Sequence, residues 1–297
     1  MRRRPRSGFS LVELLVVIGM IGILAGFILP VVQQVRATAD RLGCLNNLKQ
    51  IGLALHHFHD ARGRFPPVPF PSPPDGNPNA YLSWMALILP QLEQDSLYQV
   101  SVQACRIDPD ALHDPPHLGL ATVVRTYVCP ADSRLLTPQT DRFQVRAAFT
   151  SYIGNAGTVS LEGKQGFAGV FGDSPNLSQF TDGTSQTLMA GERPPPDSFQ
   201  AGWWYPGWWY LWGSRGPNAI IVLGGINNQD EDRCPITKVF GPGRTDNPCD
   251  RNHLWSLHPG GANFLFVDGS ARFLPYSAEA LIIPLASRNG GEIVELP

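Results

Sequence analysis

The sequence predicts an α+β fold: a long N-terminal α-helix, membrane-spanning and then amphipathic, packed on a mainly antiparallel β-sheet domain with many loops. Three observations lead there. The apolar stretch Phe9 to Leu29 runs directly into residues with helical period. Short apolar or aromatic runs, separated by turn residues, fill much of the remaining chain. Near the C-terminus, Asp268-Gly269 between two Phe-containing runs reads as a β-hairpin.

Phe9 to Leu29 would form about 31 Å of helix at 1.5 Å per residue, which matches a hydrocarbon core of roughly 30 Å. Arg2, Arg3, Arg4 and Arg6 precede it. Basic residues stay cytoplasmic, so the chain after Pro30 should be exported, giving a single-pass inner-membrane protein. Glu13 is the only charge between Ser7 and Val32. A carboxylate there costs about 2.5 kcal/mol or more by insertion scales and calls for a partner. An amine created by cutting the chain before Phe9 would supply one. A secretory signal peptide should have a shorter apolar region followed by small residues, whereas Gly22 and Ala25 lie inside this run.

Beyond Pro30, Val31, Val35, Thr38, Leu42, Leu45, Leu48, Ile51, Leu55 and Phe58 recur every three or four residues, which extends the helix outward with an apolar stripe. Pro30 is a place for a kink. The helix should end near Gly63, and the seven prolines from Arg64 to Pro78 predict an extended linker. Ser83 to Tyr98 reads as a shorter helix bent at Pro90. Strands are expected at Val123 to Val128, Phe167 to Phe171, Thr187 to Ala190, Ile220 to Leu223 and Asn263 to Val267. Asp268-Gly269 should form a tight two-residue turn. The chain therefore divides into a leader (1–8), a spanning helix (9–30), its amphipathic continuation (31–62), a Pro-rich linker (63–80) and a globular domain (81–297).

Charged residues make up 16% of the chain, against about 25% in ordinary domains, beside 30 Gly and 28 Pro, a composition suited to loops. Removing the four leader arginines takes Lys+Arg from 23 to 19 against 25 Asp+Glu, so the formal charge moves from −2 to −6. A mildly acidic domain gives no electrostatic reason to bind nucleic acid. Of the five cysteines, Cys234 and Cys249 bracket a loop whose closure contributes roughly 3 kcal/mol on the chain-entropy model. Cys44 with Cys129 is a second candidate pair, tying the helix to the globular body, although spacing alone does not fix connectivity.

No G-x-S-x-G, H-E-x-x-H, P-loop or C-x-x-C pattern occurs, so nothing positive points to an enzyme or a zinc site. His56, His57, His59 and Asp60 could face a metal, but histidines in a helix's last turn also meet its negative end. Asp230 and Asp232, with Asn227, Asn228 and Glu231, form an acidic loop that could hold calcium, yet they lack the glycine and distal glutamate of an EF-hand. Neither group is expected to hold a metal. Gly202 to Gly213 carries five of the seven tryptophans. Trp204 and Trp208 could be core or could form a binding face.

The basic leader, Gly8, Phe9 and Glu13 resemble a type IV prepilin signal. That resemblance implies cleavage by a prepilin peptidase after Gly8, methylation of Phe9, and pairing of Glu13 with the N-terminal amine of a neighbouring subunit. The likeness continues through Cys44 to His56, Leu89 to Glu93, Cys129 to Asp132, Ser151 to Asn155, Thr181 to Thr187 and Leu285 to Glu292. These resemble blocks of a bacterial prepilin-type family whose large exported domain has no assigned function and which carries a C-terminal H-x9-DG motif, here His258 with Asp268-Gly269. Along an extended strand His258 and Asp268 could be more than about 20 Å apart, so a structural role is expected, Asp268 setting the turn and His258 bonding backbone. The resemblance implies a pilin-like or pseudopilin-like subunit of a pilus or type II secretion-like system, partnered by related subunits. The alternative is a membrane-tethered envelope module that binds through the Trp-rich region.

Overall fold

The computed structural model describes residues 11–67, 82–141, 144–158, 168–171, 173–205, 209–211, 214–216, 220–223, 234, 238–292 and 294–295. The chain forms two compact units, Met1–Asp40 and Arg41–Pro297. The first is helical from Leu11, as the start of α1 (Leu11–Arg62), whose helical assignment runs through Pro30. Its apolar side chains, from Leu11 to Val35, are all exposed, and α1 is long and apolar enough to cross a membrane.

Within the second unit, the remainder of α1 buries Cys44, Leu48, Ile51, Ala54, Leu55 and Phe58, one stripe at helical spacing. The predicted stripe is thus correct from Leu48 onward, whereas Val31, Val35 and Leu42 are exposed. Gly52 lets this face lie close to the sheet, since a Cβ there would sit 2.8 Å from Leu265 Cδ1. Gly63, at φ +72°, ends the helix by donating its N–H to His59 O at 2.6 Å.

Three short pieces replace the single bent helix expected at Ser83 to Tyr98. α2 (Trp84–Leu87) is capped by Ser83, whose hydroxyl accepts from Met85 N at 3.1 Å and Ala86 N at 3.2 Å. A 3₁₀ turn, Leu89–Leu92, begins with Pro90 in its first turn, where no N–H is needed. Glu93 then adopts φ 61°, which breaks the run before α3 (Asp95–Ile107).

The strands are β1 (Gln139–Thr140), β2 (Arg146–Ala147), β3 (Tyr152–Thr158), β4 (Leu188–Glu192), β5 (Trp209–Leu211), β6 (Ser214–Gly216), β7 (Ile220–Leu223), β8 (Gly261–Phe266) and β9 (Ala271–Pro275). Five of them form the main sheet in the order β7-β3-β4-β8-β9. Its pairings are antiparallel except β3 with β7, which is parallel. The fold is α+β. α4 (Glu279–Ala286) follows β9 and buries Ile282, Leu285 and Ala286 in a cluster with Ile153, Phe264 and Phe266. A larger cluster joins α1, α2, Tyr127, Tyr152 and Leu265.

Two expected strands are not strands. Val123 to Val128 contains a 3₁₀ turn at Arg125–Tyr127, and the described part of Phe167 to Phe171 is irregular. Both segments still bury apolar side chains, Tyr127, Val128, Val170 and Phe171 among them, so hydrophobicity was read correctly and pairing was not. The hairpin loop holds three residues rather than two. Phe266 N donates to Ser270 O at 2.9 Å, Gly269 N to Phe266 O at 3.0 Å, and Gly269 supplies the positive φ of +82°.

Candidate functional site

Gly8 and Phe9, the predicted processing residues, lie outside the described residues, as do Asp230 and Asp232. Glu13 occupies the first turn of α1. The remaining candidates fall into the second unit, where a buried polar cluster has formed around His258.

The cluster is assembled by four separate parts of the chain. Cys44, in the first buried turn of α1, is bonded to Cys129 across 85 residues. β4 ends on Glu192, and the loop before β8 carries His258. The His258 imidazole Nε2 lies 3.2 Å from Glu192 Oε1 and 3.5 Å from Cys129 Sγ, with the His258 and Glu192 side chains only 2% and 1% exposed. Asn263 holds the carboxylate from the other side, donating its backbone N–H to Oε2 at 2.6 Å and its Nδ2 to Oε1 at 3.2 Å. Asn263 Nδ2 is also 3.4 Å from Arg41 O on α1. The backbone of the loop is fixed by His258 N donating to Ser256 Oγ at 2.9 Å and by Ser256 Oγ donating to Gly261 O at 2.6 Å.

Tyr152 closes the cluster beside the helix. Its hydroxyl donates to Cys44 O at 3.4 Å and accepts from Asn47 Nδ2 at 3.2 Å. Burial, with the Glu192 carboxylate adding to it, holds this phenol well above its ordinary pKa, so it stays a neutral hydrogen-bonding group.

His258 therefore differs from expectation: its ring meets a carboxylate and a sulfur rather than backbone. Asp268 does set the turn, accepting from Ser270 N at 2.8 Å, while its own N–H donates to Thr184 O at 3.0 Å. Gly269 lies against α1, where an added Cβ would be 3.6 Å from the His56 ring. His258 and Gly269 thus meet α1 at Cys44 and His56, twelve residues or about 18 Å apart along the helix. β8 lies between them, with Leu265 under Gly52. The two ends of this segment clamp one face of α1; they do not form a catalytic pair.

His57 is exposed, the His56 and His59 rings pack against Phe65, and His59 Nε2 accepts from Leu177 N at 3.4 Å. Cys234 is bonded to Cys249, and Cys105 is a buried free thiol pushed up to about 12 by burial and by Asp108. Trp203, Trp204 and Tyr205 are fully buried. Trp204 Nε1 donates to Thr122 O at 3.0 Å, and the Tyr205 hydroxyl lies 2.8 Å from His117 Nδ1. This part of the Trp-rich segment is core and presents no binding face; Trp208 lies outside the described residues.

Glu192 and Asn263 escaped the sequence reading. The one available signal was a single acid closing the apolar strand LMAGE, and its partners lie 66 and 71 residues away in sequence.

Residues 3–29 match the prokaryotic N-terminal methylation motif, and residues 33–281 match a protein family of unknown function, DUF1559. Neither describes an enzyme. A search among curated proteins and another among solved structures gave no match. The methylation motif marks a type IV pilin-like precursor, and with most of its length matched the chain belongs to the DUF1559 family of prepilin-type proteins.

Proposed function

We propose that the chain is a type IV pilin-like or pseudopilin-like structural subunit that acts by assembly rather than catalysis. Prepilin peptidase removes the leader 1–8 after Gly8 and methylates Phe9. The helix 9–30 anchors the product in the inner membrane, with the rest exported, and packs against like or related subunits in a pilus or type II secretion-like filament. The observation that carries this reading is the methylation motif over residues 3–29. The exposed apolar side chains from Leu11 to Val35 support it, because such a surface needs lipid or a neighbouring helix to cover it. Burial of Trp203 and Trp204 counts against a tethered module that binds through them.

In the assembled state Glu13 pairs with the Phe9 amine of a neighbour and sets register, since either charge left alone in an apolar bundle is costly. Mass spectrometry of the membrane-extracted protein, expressed with and without a prepilin peptidase, tests the processing step. A product starting at methylated Phe9 is expected only with the peptidase. An intact leader, under conditions that process a control prepilin, would refute the reading.

A further inference from the structure

Four buried side chains able to ligate a metal converge where α1 meets the sheet. The Sγ atoms of Cys44 and Cys129, a Glu192 carboxylate oxygen and a His258 ring nitrogen all lie within 4.8 Å of one another. A tetrahedral zinc ion, bonded at about 2.3 Å to sulfur and about 2.0 to 2.1 Å to nitrogen or oxygen, sets its ligand atoms roughly 3.3 to 3.8 Å apart. Two edges of such a tetrahedron are already close to these values: His258 Nε2 to Glu192 Oε1 at 3.2 Å and His258 Nε2 to Cys129 Sγ at 3.5 Å. The edge that differs most is sulfur to sulfur, because the two cysteines are bonded.

We propose that, once this disulfide is reduced, Cys44, Cys129, Glu192 and His258 bind a single zinc ion. A dithiol supplies two electrons and two protons and becomes a disulfide, or a phosphine supplies the electrons and a water molecule the protons and the oxygen of the phosphine oxide that leaves. The S–S bond breaks and each sulfur takes a proton. Zinc then displaces both thiol protons to solvent and binds two thiolates, neutral His258 through Nε2 and ionised Glu192. The two sulfurs then move apart to tetrahedral spacing.

The surroundings suit this set. Asn263 orients the carboxylate through Oε2, Ser151 Oγ accepts from Cys129 N at 2.9 Å, and Ser256 Oγ accepts from His258 N at 2.9 Å. Such outer partners hold ligands in place before the ion arrives. Two thiolates and an imidazole favour zinc over magnesium or calcium, which take oxygen ligands. The tie between α1 and the sheet is then made in either redox state, by a covalent bond or by a metal.

The test uses the full chain in detergent micelles, carrying Cys105→Ser, Cys234→Ser and Cys249→Ser so that the thiols in question stand alone. After reduction with a phosphine, the protein is titrated with Co²⁺ and then Zn²⁺. One equivalent of cobalt should bind the reduced protein and none the oxidised protein, with thiolate charge-transfer absorption and the intense visible bands of a four-coordinate site. Zinc should bleach those bands at one equivalent. Zinc-edge X-ray absorption should count two sulfurs and two lighter ligands, one of them an imidazole. Adding Cys44→Ser with Cys129→Ser should abolish binding. The proposal is overturned by a folded reduced protein without cobalt bands, by equal binding to the oxidised or doubly substituted protein, or by a different ligand shell. A reduced protein that unfolds, and whose near-ultraviolet circular dichroism metal does not restore, overturns it as well.

Discussion

Replacing Cys44 and Cys129 together with alanine should destabilise the second unit more than replacing Cys234 and Cys249. The first bond joins residues 85 apart. For a loop of that length the chain-entropy relation gives about 15 cal/mol/K, or about 4.6 kcal/mol at about 25 °C. The second closes 15 residues, for which the same relation gives about 3 kcal/mol. Loop length alone therefore separates the two variants by about 1.5 kcal/mol. A second effect acts in the same direction: Cys44 and Cys129 are buried beside the His258–Glu192 pair, so alanines leave a gap next to two buried polar side chains. Equilibrium urea unfolding of the full chain in micelles, followed by tryptophan fluorescence, measures both losses against the oxidised parent. A loss at Cys234 and Cys249 equal to or larger than that at Cys44 and Cys129 would refute the reasoning.

Other predictions concern packing and pH. Leu48→Ala, on the buried stripe of α1, should cost about 2 to 5 kcal/mol, whereas Leu53→Ala, 58% exposed on the same helix, should stay within about 0.5 kcal/mol. Equal effects in urea unfolding would contradict the assigned helix face. Gly261→Ala places a Cβ 2.1 Å from the backbone oxygen of Leu274, which cannot rotate away, and should cost about 3 kcal/mol in the same assay. Burial, aided by Lys238, holds the His253 imidazole down at about 4, below its ordinary 6.5. The unfolded chain takes up that proton first, so this contribution is complete above about pH 6.5 and falls by at most about 3 kcal/mol as pH drops towards 4. His253→Gln should flatten that part of a pH series of urea midpoints, and an unchanged slope would refute the assignment. Glu13→Ala should still enter the membrane but fail to crosslink between subunits through cysteines introduced along residues 31–42; normal crosslinking would exclude the pairing.

The long helix, its end at Gly63 and the C-terminal hairpin were legible because each rests on local chemistry. Period, a left-handed glycine and an Asp-Gly pair all act within a few residues. The errors arose where tertiary context decided. The periodicity of Val31, Val35 and Leu42 reported apolar residues correctly, but all three are exposed, and periodicity alone does not say what covers an apolar face. Tyr127 is buried like a strand residue, yet its hydroxyl donates to Met85 O at 2.7 Å and its N–H to Val124 O at 2.9 Å, which fixes a turn instead. The parallel pairing of β3 with β7 was invisible because more than sixty residues separate the two strands. At the hairpin, the Asp268 side chain binds Ser270 N, which adds a third loop residue to the two expected.

The site was less legible because its logic is non-local. His258 was singled out through a motif, but its chemistry is set by Glu192 and Cys129, and nothing near either residue in sequence announces the meeting. The outcome bears on how an anchored subunit would hold together. If the protein is retained by residues 9–30, the folded body is held through the later turns of α1. Apolar burial of Leu48, Ile51, Leu55 and Phe58 contributes about 1.5 to 3 kcal/mol each, roughly 6 to 12 kcal/mol before the entropy of ordering them is subtracted. All of that is reversible. The bond at Cys44 yields only to reduction, and it sits in the first buried turn of α1, where separation from the sheet would begin. Glu192 and His258 are buried against this bond at the cost of desolvating two ionisable groups, a cost that apolar residues of similar size would avoid. A junction needed only for stability gains little from such a pair. A junction that must survive the loss of its covalent bond gains two further ligands.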